Sequence, residues 1–408
     1  QAAGRTACRW RRKGGCMNGT SFYRELLKSV YTRFPDYPEG RYRGRGIVLC
    51  AGGFGHLSNA YVCLKYLRTY TDMPVELFYV GKSEMPRGAR DLFLKDFAPI
   101  ALKDITQCRF PHDQLSLPIR DFKGFQIKPY ALLYSSFEEI FYMDVDNIPL
   151  QSPLTLFMSE EYKQTGALFW PDLSGMKQTT DDLFEVFGVT SQLIRQDPEF
   201  ESGQIVLDKR RCWKALLTVC LANSDAERFR DFCYRHTLGD KDTFRLSFQF
   251  AGQPYHLIRH FPLQAGNMYV IIPVPLTDFT IKIQHDLGSF YATGILQHDP
   301  AGNPLFAHKT VCEWDIYQPF QNLLYVENAH REIQPVRELA QRENEGYGYL
   351  KEFHARYKKF FGRQYLRRFR GLLAVVIIAF LNTVKYRRSG PASTLSQQQP
   401  DEKESRKH

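Results

Sequence analysis

Three consecutive stretches, "GIVLCAGG" (Gly46 to Gly53), "LSNAYVCLKYLRTY" and "MPVELFYVG" (Met73 to Gly81), constrain this chain more than any others. The first is an apolar run that breaks at two glycines. The second places Leu57, Ala60, Leu64 and Leu67 at helical spacing, and the third is again a short apolar run. Strand, glycine turn, helix and strand make a βαβ unit. Its crossover forces the two strands parallel and leaves a ligand crevice at their carboxyl ends.

The pattern continues. "KPYALLYSSF" (Lys128 to Phe137) predicts a helix, and "EIFYMDVD" the strand after it. "GALFWPD" and "GQIVLDK" predict two more strands, "RCWKALLTVCLANS" a helix, and "GDKDTFRLSFQFAG" a helix capped by an aspartate. The alternation runs from about residue 45 to about 315 without an internal repeat. Residues 1–44 are basic and punctuated by Gly and Pro, and predict an irregular arm. A helical extension is expected over 321–370 and a disordered polar tail over 385–408.

With 408 residues and 43% hydrophobic content the chain can bury a large core. Its formal net charge of +10 suits acidic ligands such as nucleotides or an anionic surface. No ladder of basic and aromatic residues points to nucleic acid. Nine cysteines show no CxxC pair, which argues against a structural zinc cluster. Cys50 with Cys63, or a pair among Cys212, Cys220 and Cys233, could bridge in an oxidising lumen; the alternative is buried free thiols. Asn18-Gly19-Thr20 is a glycosylation sequon, and the opening residues lack the apolar stretch of a signal peptide. "GLLAVVIIAFLNTV" (371–384) is uncharged between basic flanks. As a helix it is about 21 Å long, short of the roughly 30 Å of a bilayer core. It reads as a membrane-associated helix with snorkelling arginines or as a core helix.

At "DVD", Asp144 and Asp146 emerge from an apolar strand. On a regular strand they would point to opposite faces, so they can share a ligand only where the strand ends, and Asn147 and Pro149 supply that turn. Two carboxylates leaving an apolar run need a cation, and their oxygens suit a hard ion such as Mn²⁺ or Mg²⁺. A plain surface turn is the structural alternative. A phosphohydrolase with Asp144 as nucleophile and a nucleotide-sugar transferase both place a DxD at a strand end. About a hundred residues of nucleotide-binding pattern precede this one, which favours the transferase.

Other segments supply the rest of such a site. Ala51, Gly52 and Gly53 let backbone approach a nucleotide. Lys128 heads the helix before the DxD strand and can reach the donor phosphates. Glu201 and Gln204 lie in the "ESGQ" turn, Asp240 and Asp242 at a helix start, and His308 with Lys309 late in the domain. His308 is the expected third metal ligand and Lys309 a partner of the leaving diphosphate. Glu201, Gln204, Asp240 and Asp242 are the candidates near the sugar.

Taken together, "GIVLCAGG", "GFQIKPYALLYSSFEEIFYMDVDNIPLQSPLTLF", "TGALFWPD", "ESGQIVLDKRRCWKALL", "GDKDTFRLSF" and "LQHDPAGNPLFAHK" resemble the fungal-type Golgi α-mannosyltransferases of the MNN type, glycosyltransferase family 71. The resemblance implies a GT-A α/β fold over about 45–320, with a Rossmann-like half and a mixed central sheet. It implies GDP-mannose as donor, Mn²⁺ as metal and retention at the anomeric carbon. It further implies an α-1,2 or α-1,3 linkage to a mannose-containing glycan or glycoprotein, in the Golgi membrane or another secretory lumen. The rival readings are a related transferase using a UDP-hexose and a non-catalytic protein that binds glycan or a partner. The family's N-terminal anchor has no match here, and the segment 371–384 has no counterpart in the family.

Overall fold

The computed structural model describes residues 19–109, 122, 124–173, 178–190, 198–273, 280–311, 313–316, 322–328 and 330–366. β1 (Arg45–Cys50), β2 (Val75–Tyr79) and β3 (Ile100–Asp104) run parallel, and β4 (Glu139–Met143) lies parallel to β1 on its other side. β5 (Asn147–Pro149) leaves this sheet. β6 (Ala167–Pro171), β7 (Phe200–Asp208) and β8 (His256–Leu257) complete it, giving the order β3-β2-β1-β4-β7-β6-β8. β7 is antiparallel to both β4 and β6. This is the expected α/β architecture, with a parallel Rossmann-like half that gives way to a mixed sheet.

Both faces of the sheet are apolar because helices cover both. Val48, Ile140 and Tyr142 pack on one side with the helices Ile127–Tyr134, Trp213–Ala222 and Lys241–Phe250. Ile47, Leu49, Phe141 and Met143 alternate to the other side, under the helix Gly53–Tyr70. A second, antiparallel sheet is built from β5, β9 (Leu263–Pro273), β10 (Thr280–Gln284), β11 (Ser289–His298), β12 (Pro304–His308), β13 (Tyr325–Glu327) and β14 (Ile333–Pro335). β5, which follows β4 after residues 144–146, pairs with β12 so that Asn147 faces His308.

The structure differs from the sequence expectation at both ends. Gly19–Tyr31 is a helix whose Tyr23, Leu27 and Val30 are buried in the main core, so this part of the predicted arm belongs to the folded body. Glycine and basic residues hid an apolar stripe at helical spacing. The predicted C-terminal extension is likewise integrated. β13 and β14 extend the second sheet, and the helix Arg337–Tyr357 packs on Gly53–Tyr70 through Tyr61, Phe353 and Tyr357. Gly346 allows that approach, since a Cβ there would stand 2.7 Å from the Tyr66 hydroxyl and 2.4 Å from Trp314. Cys50, Cys63, Cys108, Cys212, Cys220 and Cys233 are free thiols, and burial raises each of them above the ordinary thiol range. Residues 371–384 and 385–408 lie outside the described residues, as does Asn18. Among the described residues no helix is long and apolar enough to cross a membrane.

Candidate active site

β4 ends at Met143, and the chain turns at once: Asn147 N–H donates to the Asp144 carbonyl at 3.2 Å. Gly203 of the neighbouring β7 fixes the turn. Its carbonyl accepts from Asp144 N at 2.7 Å and from Asn147 Nδ2 at 3.0 Å. Breaking the strand here lets Asp144 and Asp146 serve one place. The β5–β12 pairing then carries His308 to them, with Nε2 at 3.2 Å from Asp146 Oδ1. One ligand atom from each of Asp144, Asp146 and His308 lies within 4.8 Å of the others. Two carboxylate oxygens and an imidazole nitrogen are a donor set that fits a divalent cation.

The surroundings reinforce that fit. His308 Nδ1 is buried without a hydrogen bond and lies 3.4 Å from Glu201 Oε1. Gly203 leaves the imidazole its room, because a Cβ there would stand 2.4 Å from His308 Cε1. Burial by itself would lower the His308 pKa, but the Asp146 and Glu201 carboxylates raise it well above its ordinary value. Asp146 and Glu201, disfavoured as anions by burial, are in turn held low by the His308 charge. Burial raises Asp144 despite the neighbouring Lys128. A negative cluster is thus partly balanced by protons that a metal ion would displace.

Lys128 sits beneath the cluster, 4% exposed. Its ammonium donates to the Ser202 carbonyl and hydroxyl at 2.8 and 2.9 Å, and lies 3.2 Å from Asp144 Oδ2 and 3.6 Å from Asp240 Oδ2. Burial disfavours its charge, but Asp144 and Asp240 more than compensate and raise its pKa. Asp240, expected as a helix cap, makes no side-chain cap bond and faces Lys128 instead. Burial, offset in part by Lys128, lifts it to about 6. Tyr142 donates its hydroxyl to Asp144 Oδ1.

Asp144, Asp146, Lys128, Ala51 and Gly52 border one cavity of about 450 Å³ at the carboxyl ends of β1, β2 and β4. The crevice is where a βαβ unit places it. Gly53 is adjacent, at φ +71°, with its N–H on the Glu84 carbonyl at 2.9 Å. Glu201 and Gln204 flank His308 from β7: Gln204 Nε2 donates to Glu201 Oε2 at 2.8 Å, and Gln204 Oε1 is buried without a partner.

Two candidates are turned elsewhere. Asp242 is fully buried and accepts from Arg245 Nη2 at 2.7 Å, from Phe200 N at 3.1 Å and from the Thr179 hydroxyl, which ties its helix to β7. Lys309 follows His308, and its side chain is buried against Glu343 at 2.8 and 3.1 Å, with the ammonium 4.3 Å from the centre of the Trp314 ring. Its backbone serves the site, donating to the Asp146 carbonyl at 3.1 Å.

Residues 44–193 and 189–272 match the Mannosyl_trans3 family of mannosyltransferases, more than half of the chain. The chain belongs to this mannosyltransferase family. As a member, it is 27% identical over 307 residues to the α-1,2-mannosyltransferase MNN21 of Candida albicans, which covers 60% of this chain and 43% of that relative. It is 25% identical over 304 residues to the α-1,2-mannosyltransferase MNN2 of Saccharomyces cerevisiae, covering 64% and 46%. The chain therefore spans less than half the length of these two relatives. Among solved structures, apo mouse xyloside xylosyltransferase 1 aligns over 52% of this chain and 84% of its own, with 16% identity and a TM-score of 0.35.

Tyr142, Ser202 and Glu84 of this mannosyltransferase-family chain have no signal of their own in the sequence. Tyr142 and Ser202 stand inside the quoted motifs, but their polar atoms matter only through contacts with Asp144 and Lys128. Glu84, on the turn after β2, carried no motif.

Proposed function

We propose that this chain is a metal-dependent retaining glycosyltransferase that moves mannose from GDP-mannose to a mannose-containing glycan in α-1,2 or α-1,3 linkage. One observation carries the reading: Asp144, Asp146 and His308 converge within 4.8 Å, and the two aspartates border the crevice at the ends of the parallel strands. The α-1,2-mannosyltransferase relatives support the sugar, and favour α-1,2 over α-1,3.

Asp144, Asp146 and His308 would hold Mn²⁺ or Mg²⁺, which would bind the donor diphosphate and stabilise its charge as the bond to the sugar breaks. Lys128 keeps Asp144 in place and supplies a fixed positive charge at the base of the crevice. Ala51 and Gly52 border the crevice beside Asp144, and the absence of a side chain at Gly52 makes room for Glu84. Gln204, fully buried, holds the Glu201 carboxylate beside His308 through its amide. A Golgi membrane or other secretory-lumen location belongs to the same proposal and rests on the family resemblance.

The test is a panel of nucleotide sugars with a mannobiose acceptor, with Mn²⁺ and with chelator. GDP-mannose should be turned over only with metal, and the product should keep the α configuration. Turnover of a UDP-hexose alone would replace the donor assignment. Absence of metal-dependent nucleotide binding by calorimetry would favour a glycan- or partner-binding protein.

A further inference from the structure

The cavity holds a carboxylate that the metal site does not use. Glu84 closes the turn after β2: its N–H donates to the Gly81 carbonyl at 3.2 Å, and its Oε2 accepts from Val80 N at 2.9 Å. The side chain lies directly on Gly52, where a Cβ would stand 1.9 Å from Oε2 and 2.6 Å from Cδ. The carboxylate is therefore fixed in position, half-buried, on the cavity wall. One backbone donor leaves most of its acceptor capacity free.

Its place in the sheet gives it a meaning. The order β2-β1-β4 puts one strand between the end that carries Glu84 and the end that carries Asp144. At roughly 4.8 Å per strand the two ends are about 10 Å apart, which leaves room for a ribose between a base and a metal-bound diphosphate. The same cavity is bordered by Phe122 and by Phe125, the latter 57% exposed. The exposed ring of Phe125 suits a base that stacks. Glu313, another carboxylate on this wall, lies 3.7 Å from His56.

We infer that Glu84 reads the base of the donor nucleotide and selects guanine. A carboxylate offers acceptors only, so it matches an edge with two adjacent donors. Guanine presents such an edge, with N1–H and the 2-amino group side by side. Uracil presents an acceptor, a donor and an acceptor, so two of its three groups would face the carboxylate oxygens unfavourably. Adenine and cytosine each set an acceptor beside their amino group. A site built around hydrogen bonds rejects ligands that leave them unmade. The inference rests on the donor reading proposed above and extends it to one residue.

The experiment measures GDP, IDP and UDP affinities by calorimetry in Mn²⁺ with the purified 408-residue chain, as wild type, Glu84→Gln and Glu84→Ala. IDP lacks only the 2-amino group. Wild type should bind GDP about ten- to a hundredfold more tightly than IDP, as expected for one hydrogen bond to a charged acceptor, and UDP more weakly still. Glu84→Gln keeps an acceptor for Val80 N and should bring GDP to within about threefold of IDP, with IDP weakened less than GDP because it loses only the bond from N1–H. Glu84→Ala should do the same if its melting temperature is preserved. Equal weakening of GDP and IDP in Glu84→Gln would assign the carboxylate to the ribose or to the turn and overturn the inference. An unchanged GDP/IDP ratio would overturn it too, while leaving GDP-mannose as donor intact. A wild type that prefers UDP would overturn the donor reading, and this inference with it.

Discussion

His308 stands between two carboxylates, with Nε2 3.2 Å from Asp146 and Nδ1 3.4 Å from Glu201. With a cation on the Nε2 side, the proton stays on Nδ1 and faces Glu201, an arrangement that fixes both tautomer and ring direction. Glu201 is then a positioning residue. Glu201→Gln should weaken Mn²⁺ binding about ten- to a hundredfold, read by electron paramagnetic resonance of free Mn²⁺ without any substrate. Unaltered affinity would remove Glu201 from this role.

The aspartates themselves should be indispensable for metal. Asp144→Asn and Asp146→Asn each remove a ligand charge from a three-residue donor set, so transfer should fall by at least a hundredfold. Far-UV circular dichroism and melting should stay near wild type, because both side chains are partly exposed at the crevice. Retained metal-dependent turnover in either variant would move the metal elsewhere.

Lys309 and Glu343 make a buried pair behind the site, each side chain 1% exposed. Removing one partner leaves the other buried and uncompensated, so Lys309→Met should cost about 3–5 kcal/mol of stability. Lys309→Met combined with Glu343→Leu should recover much of that loss. A lysine that served the leaving diphosphate would behave in reverse, with stability kept and turnover reduced, and denaturant titration beside an activity assay separates the two.

Asp240 predicts a pH signature in the metal-free protein. Burial raises it from 3.8 to about 6, so the protonated acid is the form that the fold favours. Its contribution is complete below about pH 4 and is lost as the pH rises through about 6, a difference of roughly 3 kcal/mol. Asp240→Asn cannot ionise. Relative to wild type its stability should therefore improve between pH 4 and pH 7, as urea midpoints would report. A difference that does not vary with pH would show that Asp240 is not raised.

β1, β2, β4, β6 and β7 and the helices Gly53–Tyr70, Ile127–Tyr134, Trp213–Ala222 and Lys241–Phe250 were legible because each is encoded locally, whereas β3, β8 and the helices Arg87–Asp96, Asp181–Phe187 and Phe229–His236 carried no such pattern. Alternating apolar residues such as Ile47, Val48 and Leu49 define a strand covered on both faces, and the glycines at 52 and 53 define the turn into a helix. "DVDNIP" announced its own strand end. The helix Gly19–Tyr31 was not legible, because its apolar stripe lies beside a basic, glycine-rich stretch and its burial depends on helices far along the chain.

By itself, then, the sequence determined the βαβ framework, the position of Asp144 and Asp146 at a strand end, and the family. Only the tertiary structure decided which polar residues meet them. His308 reaches Asp146 through the pairing of β5 with β12, more than 150 residues apart in the chain. Its neighbour Lys309 is turned away to Glu343, Asp242 is spent on Arg245 and Thr179, and Asp240 becomes the counter-ion of Lys128. The physical reason is that strand and turn propensities act over a few residues. The direction of a buried charge is set by whichever opposite charge the fold brings within about 4 Å, since leaving it unpaired costs several kcal/mol.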